Sequence, residues 1–318
     1  MTVFVLAVES LATDTGWLPQ LVSIRLTLPI VMLAALWVWE TACPFFELQK
    51  HRGRHAIRNL SIALTNALVI GLLFGTATVV TSRWVVDQRF GLLQFSDGFP
   101  AGRFFAGLLL LDGWMYVWHW LNHRVPLLWR FHRVHHSDPN MDVTTATRFH
   151  LGEHMISASL RLMLIPILGL SIWQIVVYEM AVIAMTHFHH ANITLGRADR
   201  WLRCLVVTPD MHKVHHSRWQ PETDSNYAVV LSIWDRLART FRLSPDPHSI
   251  KFGLDEFDDA IWQSLKGMLR TPFVTQKEQS GSSPISTRPQ PEKVETEKQS
   301  QKIKQEPVSL ERSVGRHD

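Results

Sequence analysis

Residues 118–137 run W-H-W-L-N-H-R-V-P-L-L-W-R-F-H-R-V-H-H-S, with five histidines in twenty residues. His119 and His123 stand at i, i+4, and His132, His135 and His136 follow at i, i+3, i+4. On a helix each set shares one face, so the spacing predicts two helices that aim their imidazoles at one place. H-x-x-H-H returns as His212, His215 and His216, preceded by H-x-H-H at His187, His189 and His190. A solitary histidine is more often a hydrogen-bonded structural residue than a ligand. Here 13 of the 17 histidines fall between His119 and His216 at co-orienting separations, and that clustering points to a metal site.

Outward from this stretch the chain looks like a membrane protein. Of 318 residues, 46% are apolar and 19% charged, and nearly charge-free runs dominate before Asn192. Residues 26–38, extendable to 46, and residues 60–81 read as spans, the second long enough for a hydrocarbon core of ~30 Å. Lys50, Arg52, Arg54 and Arg58 lie between them, and the positive-inside rule places that loop in the cytoplasm. A loop over 87–103 leads into a third span, 104–121, which delivers His119 to the cytoplasmic side. Residues 155–185 must leave and return on the same face if His187 and His190 are to join the other ligands. A hairpin turning near 166–171, broken by Pro166 and Gly169, is therefore expected, with arms short enough that it need not span fully.

The fold class expected is all-α: a multi-pass integral membrane protein of about four spans or hairpin equivalents, with a cytoplasmic, histidine-rich, di-metal helical cap. Its divisions are 1–102 (N-terminal spans and loops), 103–241 (catalytic domain), 242–275 (an amphipathic extension) and 276–318 (a polar tail). In the extension Leu254, Phe257, Ile261, Leu265 and Met268 recur at helical spacing, and packing on the domain is the preferred reading over a membrane-surface helix. The tail is rich in Ser, Pro, Glu, Gln and Lys and is expected to be disordered. No signal peptide is expected, because the N-terminus lacks a basic region before its short apolar run. Two cysteines exclude a disulfide scaffold and a cysteine zinc site. A net charge of +4, carried by residues flanking apolar segments, suits a membrane surface and argues against nucleic acid.

Ten ligands exceed the coordination of one ion, so two ions with about five imidazoles each fit the count; imidazole suits Zn, Cu, Fe and Ni. The ligand set read from the spacing is His119, His123, His132, His135, His136, His187, His190, His212, His215 and His216. His189 points about 100° away from His190 on a helix and is expected beside the ligands instead of among them. His150 and His154 form one more i, i+4 pair, open between auxiliary ligand and structural residue. Asp112, two turns before His119, is expected to accept the outer N–H of a ligand, and Asp210 and Asn192 are further outer candidates. Soluble di-iron bundles use Glu and Glu-x-x-His, whereas the carboxylates near these clusters (Asp112, Asp138, Glu153, Asp210) are few and scattered.

At this point the motifs are legible as a set. D-x-x-x-Y-x-W-H-x-x-x-H from Asp112, L-W-R-F-H-x-V-H-H-S from Leu128, T-x-x-R-x-H from Thr145, F-x-H-A-N-I from Phe188, T-P-x-x-H-x-V-H-H-S from Thr208 and D-S-N-Y from Asp224 resemble the fatty acid hydroxylase/sterol desaturase superfamily, nearest its bacterial sterol desaturase-like and alkylglycerol monooxygenase-like branches. The resemblance covers roughly residues 103–241. It implies a membrane monooxygenase or desaturase with two iron ions held by the ten histidines, using O2 and two external electrons on a fatty acyl, alkylglycerol or sterol-like lipid. It departs from the family at His189, where relatives have Gln, at Ala228, where Gly is usual, and at 237–240, where L-A-R-T replaces L-F-G-T. With no Gly-rich dinucleotide fingerprint or haem-attachment motif, electrons must come from a ferredoxin- or cytochrome-type partner with its reductase. The location expected is the bacterial cytoplasmic (inner) membrane, with the metal site facing the cytoplasm.

Two other classes compete. A membrane zinc-dependent hydrolase needs a general-base Glu in H-E-x-x-H, which only Glu153 beside His154 approximates. A metal-handling transporter would hold ligands near the bilayer midplane, yet most of these histidines lie beyond the apolar runs.

Overall fold

The computed structural model describes residues 18–95 and 99–275. The polar tail, the N-terminal segment and His317 lie outside them. Among the described residues the structure is helices and turns, with one isolated antiparallel bridge, Val206 to Leu231. Six helices set the frame: α1 (Leu18–Ala42), α2 (Arg52–Asp87), α3 (Pro100–Arg124), α4 (Pro126–His136), α5 (Leu151–Leu168) and α6 (Ile172–His190). Three segments are long and apolar enough to cross a membrane: Ser23–Ala42, Arg52–Gln94 and Leu151–Leu168. α3 and α6, 25 and 19 residues long, carry histidines in their last turns and are not among these three segments.

One end of the frame is drawn together by small residues and amides. Gly91 (φ +97) and Gly169 (φ +77) both lie in the left-handed region, and a Cβ on Gly91 would collide with the backbone of Gly169 and Pro166. Gln94 donates to the Gly169 carbonyl at 2.9 Å, and Gln174 donates to the Arg103 carbonyl at 2.9 Å. The turn between α5 and α6 therefore lies level with the end of α2 and the start of α3. The two arms of the hairpin are matched in length, α5 and α6 running ~27–29 Å each at 1.5 Å per residue. The break comes from Gly169 as the left-handed cap and from the Ser171/Gln174 capping box, while Pro166 sits inside α5. Val85, Leu111, Ile165, Leu170 and Tyr178 fill the core at this end.

The histidines gather at the opposite end. There Pro126 starts α4 directly after the extended Val125, which turns the chain sharply out of α3 and lets His119 and His123 face His132 and His136. Buried Glu40 at the end of α1 ties four segments: it pairs with Arg52 of α2 and accepts from the backbone N–H groups of Val143 (3.1 Å) and Asn192 (2.8 Å). Midway along the frame Arg25 and Arg161 both pair with Glu179, at 2.7 and 2.5 Å, so the charged exceptions of the hairpin neutralise one another between α1, α5 and α6.

The extension after residue 242 differs from the helix expected of it. The apolar residues at 254–268 fall in a 3-10 turn (Asp255–Phe257) and a short helix, Leu265–Arg270, capped by Ser264. Phe257 and Met268 are buried, Met268 against Ile62 and Val134, while Ile261 is exposed. The chain folds back at Gly267, where a Cβ would strike the Ile261 carbonyl, so helical spacing here records separate packing points. Buried Gln263 donates to the Ser137 carbonyl at 3.0 Å, which docks the segment under the histidine-rich α4.

Candidate metal centre

The histidine end holds two groups of inward-facing ring nitrogens. His119, His123, His132, His136 and His215 form one, and His135, His190, His212 and His216 the other; within each, ligand atoms lie within 4.8 Å of one another. The final helix to contribute, α7 (Pro209–His215), is short and starts at a proline, so His212, His215 and the capping His216 sit at a fixed turn. The groups adjoin, with the rings of His136 and His216 stacked at 4.4 Å between centroids.

In the first group three outer nitrogens are held by acceptors. His119 Nδ1 faces the Tyr227 carbonyl at 2.8 Å, His215 Nδ1 the Ser225 carbonyl at 2.7 Å, and His132 Nδ1 the Glu153 carboxylate at 3.0 Å. His123 Nδ1 lies 3.6 Å from Asp224. An Nδ1–H donated outward leaves the Nε2 lone pair for the interior. The buried Nε2 atoms of His119, His132, His136 and His215 accordingly have no hydrogen-bond partner. In the second group His190 donates from Nδ1 to the Thr186 carbonyl at 2.7 Å, so its Nε2 is an acceptor; it meets His135 Nε2 at 3.1 Å and His212 Nε2 at 3.0 Å. Lone pairs converging at that distance match the spacing of imidazoles around one ion, which bind at ~2.0–2.1 Å each. The residues fit a pair of metal ions.

Electrostatics point the same way. Burial, joined by the neighbouring imidazoles, holds His135, His136, His212 and His216 well below the ordinary histidine range, and His215 falls to about 3. These rings are neutral near pH 7, the form that binds metal.

Nine of the ten expected ligands are thus brought together, and His187 is not. Its Nδ1 turns back to the Ile183 carbonyl at 2.7 Å, and it lies in neither group. His189, though outside both groups too, packs its ring 3.9 Å from that of His212. The reason is that the cluster lies off the end of α6, so the last residues of the helix reach it and a residue one turn back does not. Among the described residues Asp112 bonds to no histidine: it accepts from Tyr178 Oη (2.9 Å), Trp234 Nε1 (2.7 Å) and the Leu231 N–H (3.1 Å). His150 caps α5 by accepting from the Gly152 N–H, and His154 packs against Phe149. Asp210 pairs with Lys213 at 3.0 Å, and Asn192 exchanges hydrogen bonds with the Phe46 backbone.

The supporting residues that spacing alone misses are Glu153 and the turn at 224–227. Asn226 adopts φ +52, which Asn tolerates, and its amide donates to the Met211 and Arg242 carbonyls, fixing the carbonyls of Ser225 and Tyr227 on either side. Behind α4, Asp138 accepts from His55 at 2.9 Å and from Thr145 at 2.9 Å. Burial alone would raise this carboxyl, but the His55 and Arg148 charges hold it well below the usual carboxylate range. No spacing rule links His55, 83 residues away in sequence, to this loop.

The architecture and the two groups define a histidine-lined metal protein built on membrane-length helices. Residues 104–240 match the fatty acid hydroxylase family, and the relatives that the chain resembles belong to the fatty acid hydroxylase/sterol desaturase superfamily. Among curated relatives, the ornithine lipid hydroxylase OlsE of Rhizobium tropici is 28% identical over 70% of this chain and 68% of its own length. The alkylglycerol monooxygenase of Homo sapiens is 29% identical over 53% of this chain, and cholesterol 25-hydroxylase of Mus musculus is 26% identical over 45%. These two matches span 37% and 48% of the relatives' own lengths. No solved structure matches the chain.

Proposed function

We propose that the protein is a membrane di-iron oxygenase that hydroxylates a lipid. The observation that carries this reading is the pair of converging imidazole groups at the end of a bundle of membrane-length helices. The nine histidines of the two groups are the ligands in this proposal, with His189 beside them. Bound iron would supply the O2-activating redox chemistry that an unactivated C–H bond requires. Overall, R–H, O2, two electrons and two protons give R–OH and H2O. The relatives are named for hydroxylation or monooxygenation of lipids, which favours hydroxylation over desaturation here.

The chain's own residues do the positioning. Glu153 and the carbonyls of Ser225, Tyr227 and Thr186 hold ring tautomers with Nε2 inward. The rings of Trp129 and Tyr227 pack on the cluster, against His123 at 5.1 Å each, and exclude water from it. Electrons come from a separate ferredoxin- or cytochrome-type protein and its reductase. Arg54 and Arg58, on the first turns of α2 at the histidine end, support a cytoplasmic face in a bacterial inner membrane. A zinc-dependent hydrolase is less well supported, because Glu153, its only candidate base, is engaged by His132. Lipids from a deletion strain and a complemented strain test the proposal: a hydroxylated species present only with the intact gene supports it, and identical profiles under aerobic growth count against it.

A further inference from the structure

Two short helices outside the frame, Asp199–Leu202 and α8 (Ile233–Leu237), form a single ledge. The bridge between Val206 and Leu231 joins them, Ser232 N–H donates to the Leu205 carbonyl at 3.1 Å, and Arg236 donates to the Arg203 carbonyl at 2.6 Å. The outer surface of this ledge is strongly apolar: Trp201, Leu205 and Leu237 are 69%, 71% and 69% exposed, and Leu202 and Ile233 are 41% exposed each. Its charge is sorted by sign. Arg197, Arg200 and Arg239 are exposed, whereas the acids Asp199 and Asp235 are turned inward, Asp199 to Arg203 and Asp235 to the backbone N–H groups of Tyr227 and Ala228. Arg239 adopts φ +62, a conformation costly for a residue with a Cβ, so the turn presents an arginine where glycine would be less strained.

The depth of the ledge is set by α3. Leu231 and Trp234 both bind Asp112, seven residues before His119, hence ~10 Å from the metal end toward the opposite end of the frame. Tyr116, one turn further on, meets Thr240 at 3.0 Å. The ledge thus leans down the flank of a helix that itself exposes Leu109 and Val117.

We propose that this ledge is a membrane-surface anchor: its apolar side chains enter the headgroup–acyl boundary of the leaflet nearest the histidines, and its arginines bind the phosphates of anionic phospholipids. Large apolar side chains rimmed by arginine, with no exposed acid among them and placed below the metal end, are what an interfacial segment needs. A soluble acidic protein would meet the same arginines, but the apolar surface and its depth along α3 favour lipid.

The test uses Cys204, exposed on the ledge, as the reporter. A nitroxide is placed there in full-length protein carrying Cys43→Ser, reconstituted in nanodiscs of phosphatidylcholine with or without phosphatidylglycerol. Collision rates with dissolved O2 and with a water-soluble nickel chelate are compared. O2 collisions should dominate, and added phosphatidylglycerol should lower nickel access several-fold. The triple variant R197Q/R200Q/R239Q should lose that response while retaining its metal content, which separates this result from a misfolded centre or a failed metal assignment. Nickel access that is high and independent of lipid composition overturns the proposal, as does protection that arises only on adding an acidic electron-transfer protein. Should the triple variant fail to fold, the lipid response of the Cys43→Ser protein decides alone.

Discussion

The two imidazole groups differ in what stands behind them. In the group of five, the outer nitrogens of His119, His132 and His215 each have an acceptor within 3.0 Å, one of them the Glu153 carboxylate. In the group of four, only His190 is held by such a bond, and the buried Nδ1 atoms of His135 and His212 have no partner. The first group is preorganised by its surroundings and the second by ring packing, chiefly His189 on His212. A metal site is only as rigid as the groups that orient its ligands. The second group is the place for adaptation, and the first for retention.

Removing one ligand from each group should separate the two most clearly. His215→Ala and His190→Ala should each reduce lipid oxidation below detection, but His215→Ala should also lower retained metal to about half or less, measured by elemental analysis of purified protein. Equal metal loss from both variants would erase the distinction. Next in size, Glu153→Gln keeps an acceptor for His132 but removes its charge, and a loss of ~10–100-fold in metal affinity is expected from a change of this kind. Competition with a chelator measures it; an unchanged affinity would mean that the carboxylate is only a spacer.

Smaller effects are expected further out. Asp112→Asn turns a triple acceptor into a group with a donor facing Tyr178, Trp234 and the Leu231 N–H, and should cost ~1–3 kcal/mol of stability with metal content intact. Thermal unfolding in detergent reads the first and elemental analysis the second. His189→Gln should retain metal and most activity, and His187→Ala should change least, since His187 bonds only to its own helix. A complete loss of metal in His187→Ala would return that residue to the ligand set.

How much of this the sequence discloses follows from locality. The i, i+4 and i, i+3, i+4 spacings at His119–His123 and His132–His136 are properties of single helices, and Pro126 marks the turn between them, so this half of the centre is readable residue by residue. The hairpin is likewise readable, because Gly169 and Ser171 carry its break locally. What fails is the step from one helix to its neighbours. Spacing shows that His187 and His190 share a face but cannot show that the cluster lies beyond the helix end. Asp112 is polar in an apolar run, so a histidine partner is a natural expectation, yet its partners come from Trp234 and Tyr178, 122 and 66 residues away. The segment at 254–268 has helical spacing without helical structure, because each apolar residue there answers to a different contact, Phe257 lying under Arg133 and Met268 against Ile62.

In the proposed reaction the two imidazole groups hold iron that inserts oxygen into a lipid. The most direct test purifies the full chain from iron-supplemented cells, counts iron per chain, and supplies isotopically labelled O2 with membrane lipids, a reductase and its electron-transfer partner. About two irons per chain, one for each group, and one labelled oxygen atom in the lipid product are the predicted result. Lipid hydroxylation by protein that contains no transition metal, or a product whose oxygen comes from water, would contradict it.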